Sequence, residues 1–194
     1  LTAITEEPDV YLKHFYDSLT FIKALDVTKY TNLLDIGTGA GFPGMVIKIV
    51  FPELEVTLLD SNNKKINFLQ ELSKKLGLTK VNFYHGRAED FCVNNRETFD
   101  IVCSRAVAAL NVLCEYCLPF VKVGGYFVAM KAAKAQEEID GAKAAIKLLG
   151  GKIVEEKSFK LSDGGERNII IIKKISQVPS KYPRVSAQIA KKPL

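Results

Sequence analysis

The sequence predicts an α/β protein on a seven-stranded, mostly parallel sheet with one antiparallel strand and helices on both faces. Short apolar runs alternate with segments of helical period along most of the chain. A glycine-rich turn, Gly37-Thr38-Gly39-Ala40-Gly41, follows the first apolar run. Near the end, four consecutive isoleucines, Ile169–Ile172, suit a strand buried on both faces.

Taken in order, residues 6–25 place Tyr11, Phe15, Leu19 and Ile22 on one helical stripe. Asn32–Ile36 reads as the first strand, and Pro43 suits the first turn of a helix running to Phe51. Val56–Leu59 is a second strand ending at Asp60. Ser61 and Asn62 can cap the next helix, with Ile66, Leu69, Leu72 and Leu76 inward and Gly77 as its stop. Val81–Tyr84 and Phe99–Cys103 read as the third and fourth strands. Val107, Leu110, Cys114 and Cys117 mark a helix between the fourth strand and a fifth, Tyr126–Met130, which follows Gly124-Gly125. Ile139, Ala142, Ile146 and Leu149 stripe a further helix that Gly150-Gly151 terminates. Residues 152–161 alternate as an edge strand would, Ser162–Glu166 offers a turn, and the isoleucine strand should insert inside its predecessor.

Composition narrows the function classes. The chain has 194 residues, 47% of them hydrophobic, which is enough for a core of normal size. No uncharged apolar run reaches the roughly 18 residues of a membrane span. Net charge is +5, and residues 152–194 hold ten Lys+Arg against four Asp+Glu. That basic third reads either as a solvated tail or as a surface meeting a polyanion. The cysteines, Cys92, Cys103, Cys114 and Cys117, lack the paired clusters of a zinc site and suit buried thiols in a reducing cytosol; no metal is expected.

The segment Asp35-Ile36-Gly37-Thr38-Gly39-Ala40-Gly41-Phe42-Pro43-Gly44 supports two readings. Gly39–Gly44 spells the dinucleotide fingerprint G-x-G-x-x-G, with Asp60 at 21 residues beyond Gly39 for a ribose. Read from Asp35, it is the D-x-G-x-G-x-G of S-adenosylmethionine (SAM) methyltransferases. There Asp35 serves the methionine end of the cofactor, or else orders the loop, and Asp60 again holds the ribose hydroxyls. The terminal hairpin favours the methyltransferase reading and a Rossmann-like SAM-dependent methyltransferase fold. A nucleotide-dependent oxidoreductase, a small-molecule methyltransferase and an RNA-binding module on a relic cofactor fold stand as alternatives.

Several further segments strengthen one resemblance: Leu1-Thr2, His14…Asp17-Ser18, Leu58-Leu59-Asp60-Ser61 with Lys64, Gly86-Arg87-Ala88-Glu89, Ser104-Arg105-Ala106 and Gly165-Glu166-Arg167. With the glycine loop and Phe42-Pro43-Gly44, they resemble the RsmG (GidB) family of bacterial small-subunit rRNA methyltransferases over nearly the whole chain. The resemblance implies methylation of N7 of a guanine in 16S rRNA near the decoding site, with SAM as donor and S-adenosylhomocysteine as product, in the cytoplasm. It implies cofactor contacts from Asp35, Gly37, Gly39, Phe42, Asp60, Ala88, Glu89 and Arg105. Arg105 would lie beside the transferring methyl and act by orientation. The 16S rRNA of the 30S subunit would be met by His14, Arg87, Lys131, Arg167 and Arg184. The resemblance also implies a single domain over 1–194. Residues 1–30 would be the remainder of an N-terminal helical segment that begins before Leu1, 31–175 the core, and 176–194 a basic tail. The sequence departs from the family at Ala132, where a glycine is expected, and at Val185–Ile189.

The residues themselves agree by omission. Guanine N7 carries an in-plane lone pair and no proton, so its methylation requires alignment and no general base. Cys103-Ser104-Arg105-Ala106 lacks both the Asn/Asp-Pro-Pro-aromatic motif of adenine-N6 enzymes and the Pro-Cys nucleophile of cytosine-C5 enzymes. Arg105 can bond the guanine edge bidentately through O6, or pair with a nearby carboxylate. His14 suits RNA contact or packing, His85 a structural role, and Tyr182 base stacking or packing.

Overall fold

The computed structural model describes residues 6–105, 108–132 and 135–194. Its N-terminal segment runs through α1 (Glu7–Val10), a π-helical stretch (Tyr11–Tyr16), α2 (Asp17–Leu19) and a 3₁₀ turn (Thr20–Lys23). The alternating part follows as β1 (Asn32–Ile36), α3 (Gly44–Val50), β2 (Glu55–Asp60), α4 (Asn63–Lys75), β3 (Val81–His85), α5 (Ala88–Asn95) and β4 (Phe99–Arg105). Then come α6 (Leu110–Cys117), β5 (Val121–Lys131), α7 (Ala135–Leu148), the hairpin β6 (Gly151–Lys160) and β7 (Glu166–Lys174), and α8 (Ser186–Lys191).

All seven strands form one sheet in the order β3-β2-β1-β4-β5-β7-β6. Neighbours from β3 to β5 are parallel, and β7 runs antiparallel to both β5 and β6. The isoleucine strand thus sits inside its predecessor, and β6 with its alternating exposure forms the edge. Strand order reverses between β1 and β4, which opens a crevice at their carboxyl ends.

The sheet separates two cores. Leu34, Ile36, Val102, Phe127, Ile170 and Ile172 face α5, α6 and α7, while Leu33, Leu58, Ile101, Val128, Ile169 and Ile171 face α3, α4 and Phe21. Successive residues of β1 and β7 therefore go to opposite cores, as the two-residue side-chain period of a strand requires.

The N-terminal stripe turns out differently. Tyr11 and Ile22 are more than half exposed, and the inward positions are Asp17, Ser18, Phe21 and Ala24. The π-helical stretch at Tyr11–Tyr16 widens the turn and shifts the phase, so a 3.6-residue stripe drawn across it selects the wrong face. Leu76 is also exposed, because α4 has ended before it. Asn62 caps α4 by accepting from the Lys64 N–H, and Gly77 closes it at φ +63°. A Cβ at Gly77 would meet nothing within 4 Å, so the backbone alone resists substitution. Gly77→Ala should cost about 1 kcal/mol in urea unfolding, with no change in cofactor affinity. Leu1, Thr2, Ala106 and Val107, which the sequence assigned to motifs or a helix, lie outside the described residues.

The basic third is partly internal. Lys174 is fully buried, bonded to Glu97 and to the carbonyls of Leu118 and Val121. Residues 176–194 do not trail into solvent, since Val178, Tyr182 and Ile189 are buried. Arg96 donates to the carbonyls of Tyr182, Val178 and Pro179, and the Leu194 carbonyl accepts from Asn111. Burial assigns Tyr182 to packing.

Candidate active site

The glycine loop leaves β1 with Gly37, Gly39 and Gly41 all at positive φ, at 73°, 62° and 98°. Only glycine adopts such angles freely, and three of them fold the loop back over the end of β2. Gly37 and Thr38 donate to the Leu59 carbonyl at 2.9 and 3.1 Å, and Gly39 donates to Asp60 Oδ2 at 2.9 Å. Asp60 Oδ1 accepts from the Asn62 N–H at 2.9 Å, and Lys65 lies 3.6 Å from Oδ2.

Asp35 sits behind this loop, fully buried, with Oδ2 accepting from the Gly44 N–H at 2.9 Å. It therefore ties the start of α3 to β1. Burial pushes its carboxyl up to about 6, against the opposing pull of the Gly44 hydrogen bond and the charge of Arg105.

Two cavities flank Arg105. The first, about 470 Å³, lies at the carboxyl ends of β1, β2 and β3. Gly37, Asp60, Gly86, Ala88, Glu89 and Arg105 contribute to its wall, as do Lys65, Tyr116 and Ser186. Its size falls within the range of small-molecule sites. A glycine-lined backbone wall at one side and a carboxylate at the end of β2 fit a nucleoside-bearing amino acid such as SAM. Asp60 would take its ribose hydroxyls, and the loop would follow its methionine part. The second cavity, about 230 Å³, lies between the N-terminal helical segment and the ends of β4, β5 and β7. Lys13, His14, Asp17, Arg105, Lys131 and Arg167 line it.

Arg105 ends β4 and belongs to both walls. Its Nη1 reaches Asp17 Oδ2 at 3.3 Å, Ser18 Oγ at 3.2 Å, and the Lys13 and His14 carbonyls at 3.4 Å each. The guanidinium also lies 5.3 Å from the centroid of the Phe42 ring. The His14 ring also stacks on Phe42, 4.8 Å between centroids at 12°. Burial lowers the His14 pKa, and the charge of Arg105 lowers it further.

The structure thus gathers Gly37, Asp60, Arg87, Ala88, Glu89 and Arg105 around one cavity, and His14, Arg105, Lys131 and Arg167 around the other. Gly39 and Phe42 stand just outside, Gly39 on Asp60 and Phe42 against both His14 and Arg105. Most of these groups already have partners. The Glu89 carboxylate accepts from the N–H and hydroxyl of Ser186, and Arg87 reaches the same hydroxyl at 3.2 Å. Lys131 bonds the Ala108 carbonyl at 2.6 Å and pairs with Glu138 at 2.8 Å. Arg184 lines neither cavity; it lies on Glu115. His85 bonds the Ser61 carbonyl at 3.2 Å.

Asp17, Lys13, Lys65, Tyr116 and Ser186 were not picked out from sequence as site residues. Asp17 carried a signal, as a polar residue among the residues of the quoted N-terminal segment, whereas Ser186 reaches the site only because the tail folds back. All four cysteines are buried, which raises their thiol pKa values, Cys92 to about 11. Among the described residues no group of His, Cys, Asp or Glu could hold a metal ion, and no helix is long and apolar enough to cross a membrane.

Among solved structures, YcgJ from Bacillus subtilis matches at a TM-score of 0.63 and 14% identity, over 84% of this chain and 100% of that one. TrmN from Thermus thermophilus matches at 0.62 and 15%, over 81% of this chain and 48% of that one. These likenesses carry the fold alone, a Rossmann-like α/β sheet. Sequence relatives carry more. The chain is 53% identical to a ribosomal RNA small subunit methyltransferase G from Exiguobacterium sibiricum, over 100% of this chain and 83% of the relative. It is 51% identical to one from Alkaliphilus metalliredigens, over 100% of this chain and 82% of the relative. The family model GidB, rRNA small subunit methyltransferase G, matches residues 1–170. These matches set aside the dinucleotide reading of Gly39–Gly44. The chain belongs to the GidB family of small-subunit rRNA methyltransferases, enzymes of the SAM-dependent methyltransferase class.

Proposed function

We propose that the chain, acting as one domain over 1–194, methylates N7 of a guanine in 16S rRNA near the decoding site, in the cytoplasm, with SAM as donor. The observation that carries this reading is the pair of cavities sharing Arg105, one shaped for a donor and one lined by cations. SAM supplies an electrophilic methyl on a sulfonium. The chain's own residues then have three tasks. The glycine loop and Asp60 hold the donor, the second cavity receives a base lifted from its stack, and Arg105 orients that base. No side chain has to remove a proton, since N7 carries none. The 30S subunit is the proposed partner, and Lys13 at the second cavity suits its phosphates.

Calorimetry with S-adenosylhomocysteine tests the donor half; folded protein that does not bind it would refute that half. Borohydride and aniline cleavage followed by primer extension tests the acceptor half. The chain should create one new N7 mark on 30S subunits lacking the modification, and no new stop would overturn the substrate assignment.

A further inference from the structure

We propose that Asp17 is a positioning residue for methyl transfer, clamping Arg105 so that its guanidinium contacts the target base at O6 and leaves N7 open. The assignment rests on the guanine-N7 reading above.

Asp17 is nearly buried, and its two oxygens serve two different arginines. Oδ2 lies 3.3 Å from Arg105 Nη1, and Oδ1 lies 2.8 Å from Arg167 Nε. The three residues come from α2, β4 and β7, so a single carboxylate joins three distant parts of the chain at the wall of the second cavity. Among the described residues Asp17 is the one carboxylate in an ion pair with Arg105.

The manner of the grip matters more than its strength. Every hydrogen bond of Arg105 among the described residues runs through Nη1. Among the described residues its Nη2 and Nε make no hydrogen bond and can serve a ligand. An arginine free to rotate takes guanine bidentately, through O6 and N7 together. That grasp would occupy the lone pair that must attack the methyl. An arginine fixed in place through Nη1 can be held where its remaining donors reach O6 but not N7, which leaves N7 in line with the methyl–sulfur bond. Charge points the same way. The donor is a cation, and Arg105 lines the donor cavity. An uncompensated guanidinium there would repel it, and Asp17, which Arg105 shares with Arg167, offsets part of that charge. Arg167 fixes the other carboxylate oxygen, and so fixes the direction in which Asp17 holds Arg105.

The test is steady-state methylation of 30S subunits by D17N and D17E, with S-adenosylhomocysteine calorimetry and thermal unfolding of each. Asp17→Asn should lower kcat about 10- to 100-fold, on the scale of a misplacement near 1 Å. KM for 30S subunits and affinity for S-adenosylhomocysteine should stay within threefold of wild type. Asp17→Glu, which keeps the charge, should recover most of the rate. In an R105K background, Asp17→Asn should add no further loss. Three results overturn the assignment: a D17N rate within threefold of wild type, losses that multiply in the R105K background, or D17N and D17E alike losing cofactor binding as they lose rate. A wild-type chain that leaves no N7 mark overturns the substrate reading and this assignment with it. A wild-type mark beside an unaffected D17N overturns this assignment alone.

Discussion

Arg184→Ala should destabilise the protein by about 3 kcal/mol, a large part of the roughly 5–15 kcal/mol that holds a domain of this kind together. Arg184 donates to Glu115 three times, from its backbone N–H at 2.9 Å, from Nε at 2.8 Å and from Nη2 at 2.6 Å. Glu115 lies on α6 and is completely buried. Removing the guanidinium strands a carboxylate in the core, where the penalty of an unpaired charge exceeds the net worth of the pair. The melting temperature should fall by about 10 °C at neutral pH. Replacing both partners by neutral side chains, Arg184→Met with Glu115→Gln, should recover much of the loss, because no charge is then left unpaired. An R184A protein of wild-type stability with weakened rRNA binding would return Arg184 to the role of a phosphate contact. The sequence suggested that role because Arg184 stands in a basic segment whose buried counter-charge is 69 residues away.

Asp35→Asn should do the opposite and stabilise the protein, but only at neutral and alkaline pH. Burial raises the folded carboxyl from 3.8 to about 6. Between those values the folded chain keeps a proton that the unfolded chain has released. The stabilisation from the protonated form is complete below pH 4 and is lost as pH rises through 6. Above pH 7 the ionised carboxylate costs about 3 kcal/mol. Asparagine removes that charge, and its carbonyl oxygen can still accept from the Gly44 N–H. Urea unfolding at pH 8 should therefore favour D35N by up to about 3 kcal/mol, and the advantage should vanish at pH 4. A difference independent of pH would refute the buried-charge account. An acid kept where it destabilises is a mark of function over stability. Of its two sequence readings the structure supports loop-ordering, since Asp35 lines neither cavity and holds the Gly44 N–H.

The strand order and the inserted terminal strand were legible because each strand's burial is written locally. Ile169–Ile172 offer no polar alternation, so the strand had to be covered on both faces, and only an inside position does that. That Gly37, Asp60 and Ala88-Glu89 share one cavity was legible for a similar reason, since each follows a strand end. The N-terminal face was not, because a π-helical stretch breaks the period on which the stripe depends. The pairing of Asp17 with Arg167 was not either. Those residues are 150 positions apart, and an ion pair leaves no periodic trace in either segment. The tail failed for a third reason. Its charges look solvated residue by residue, and only the folded chain shows Lys174 on Glu97 and Arg184 on Glu115.

Arg105 stands in the wall of both cavities, so on the proposed reading donor and RNA would not meet independent sites. Whatever one occupant does to the reach of that guanidinium is felt by the other. Thermodynamics makes the effect symmetrical: the factor by which bound donor changes the affinity for RNA equals the factor by which RNA changes the affinity for donor. On the proposed assignment, one side chain would make donor and acceptor each other's effector.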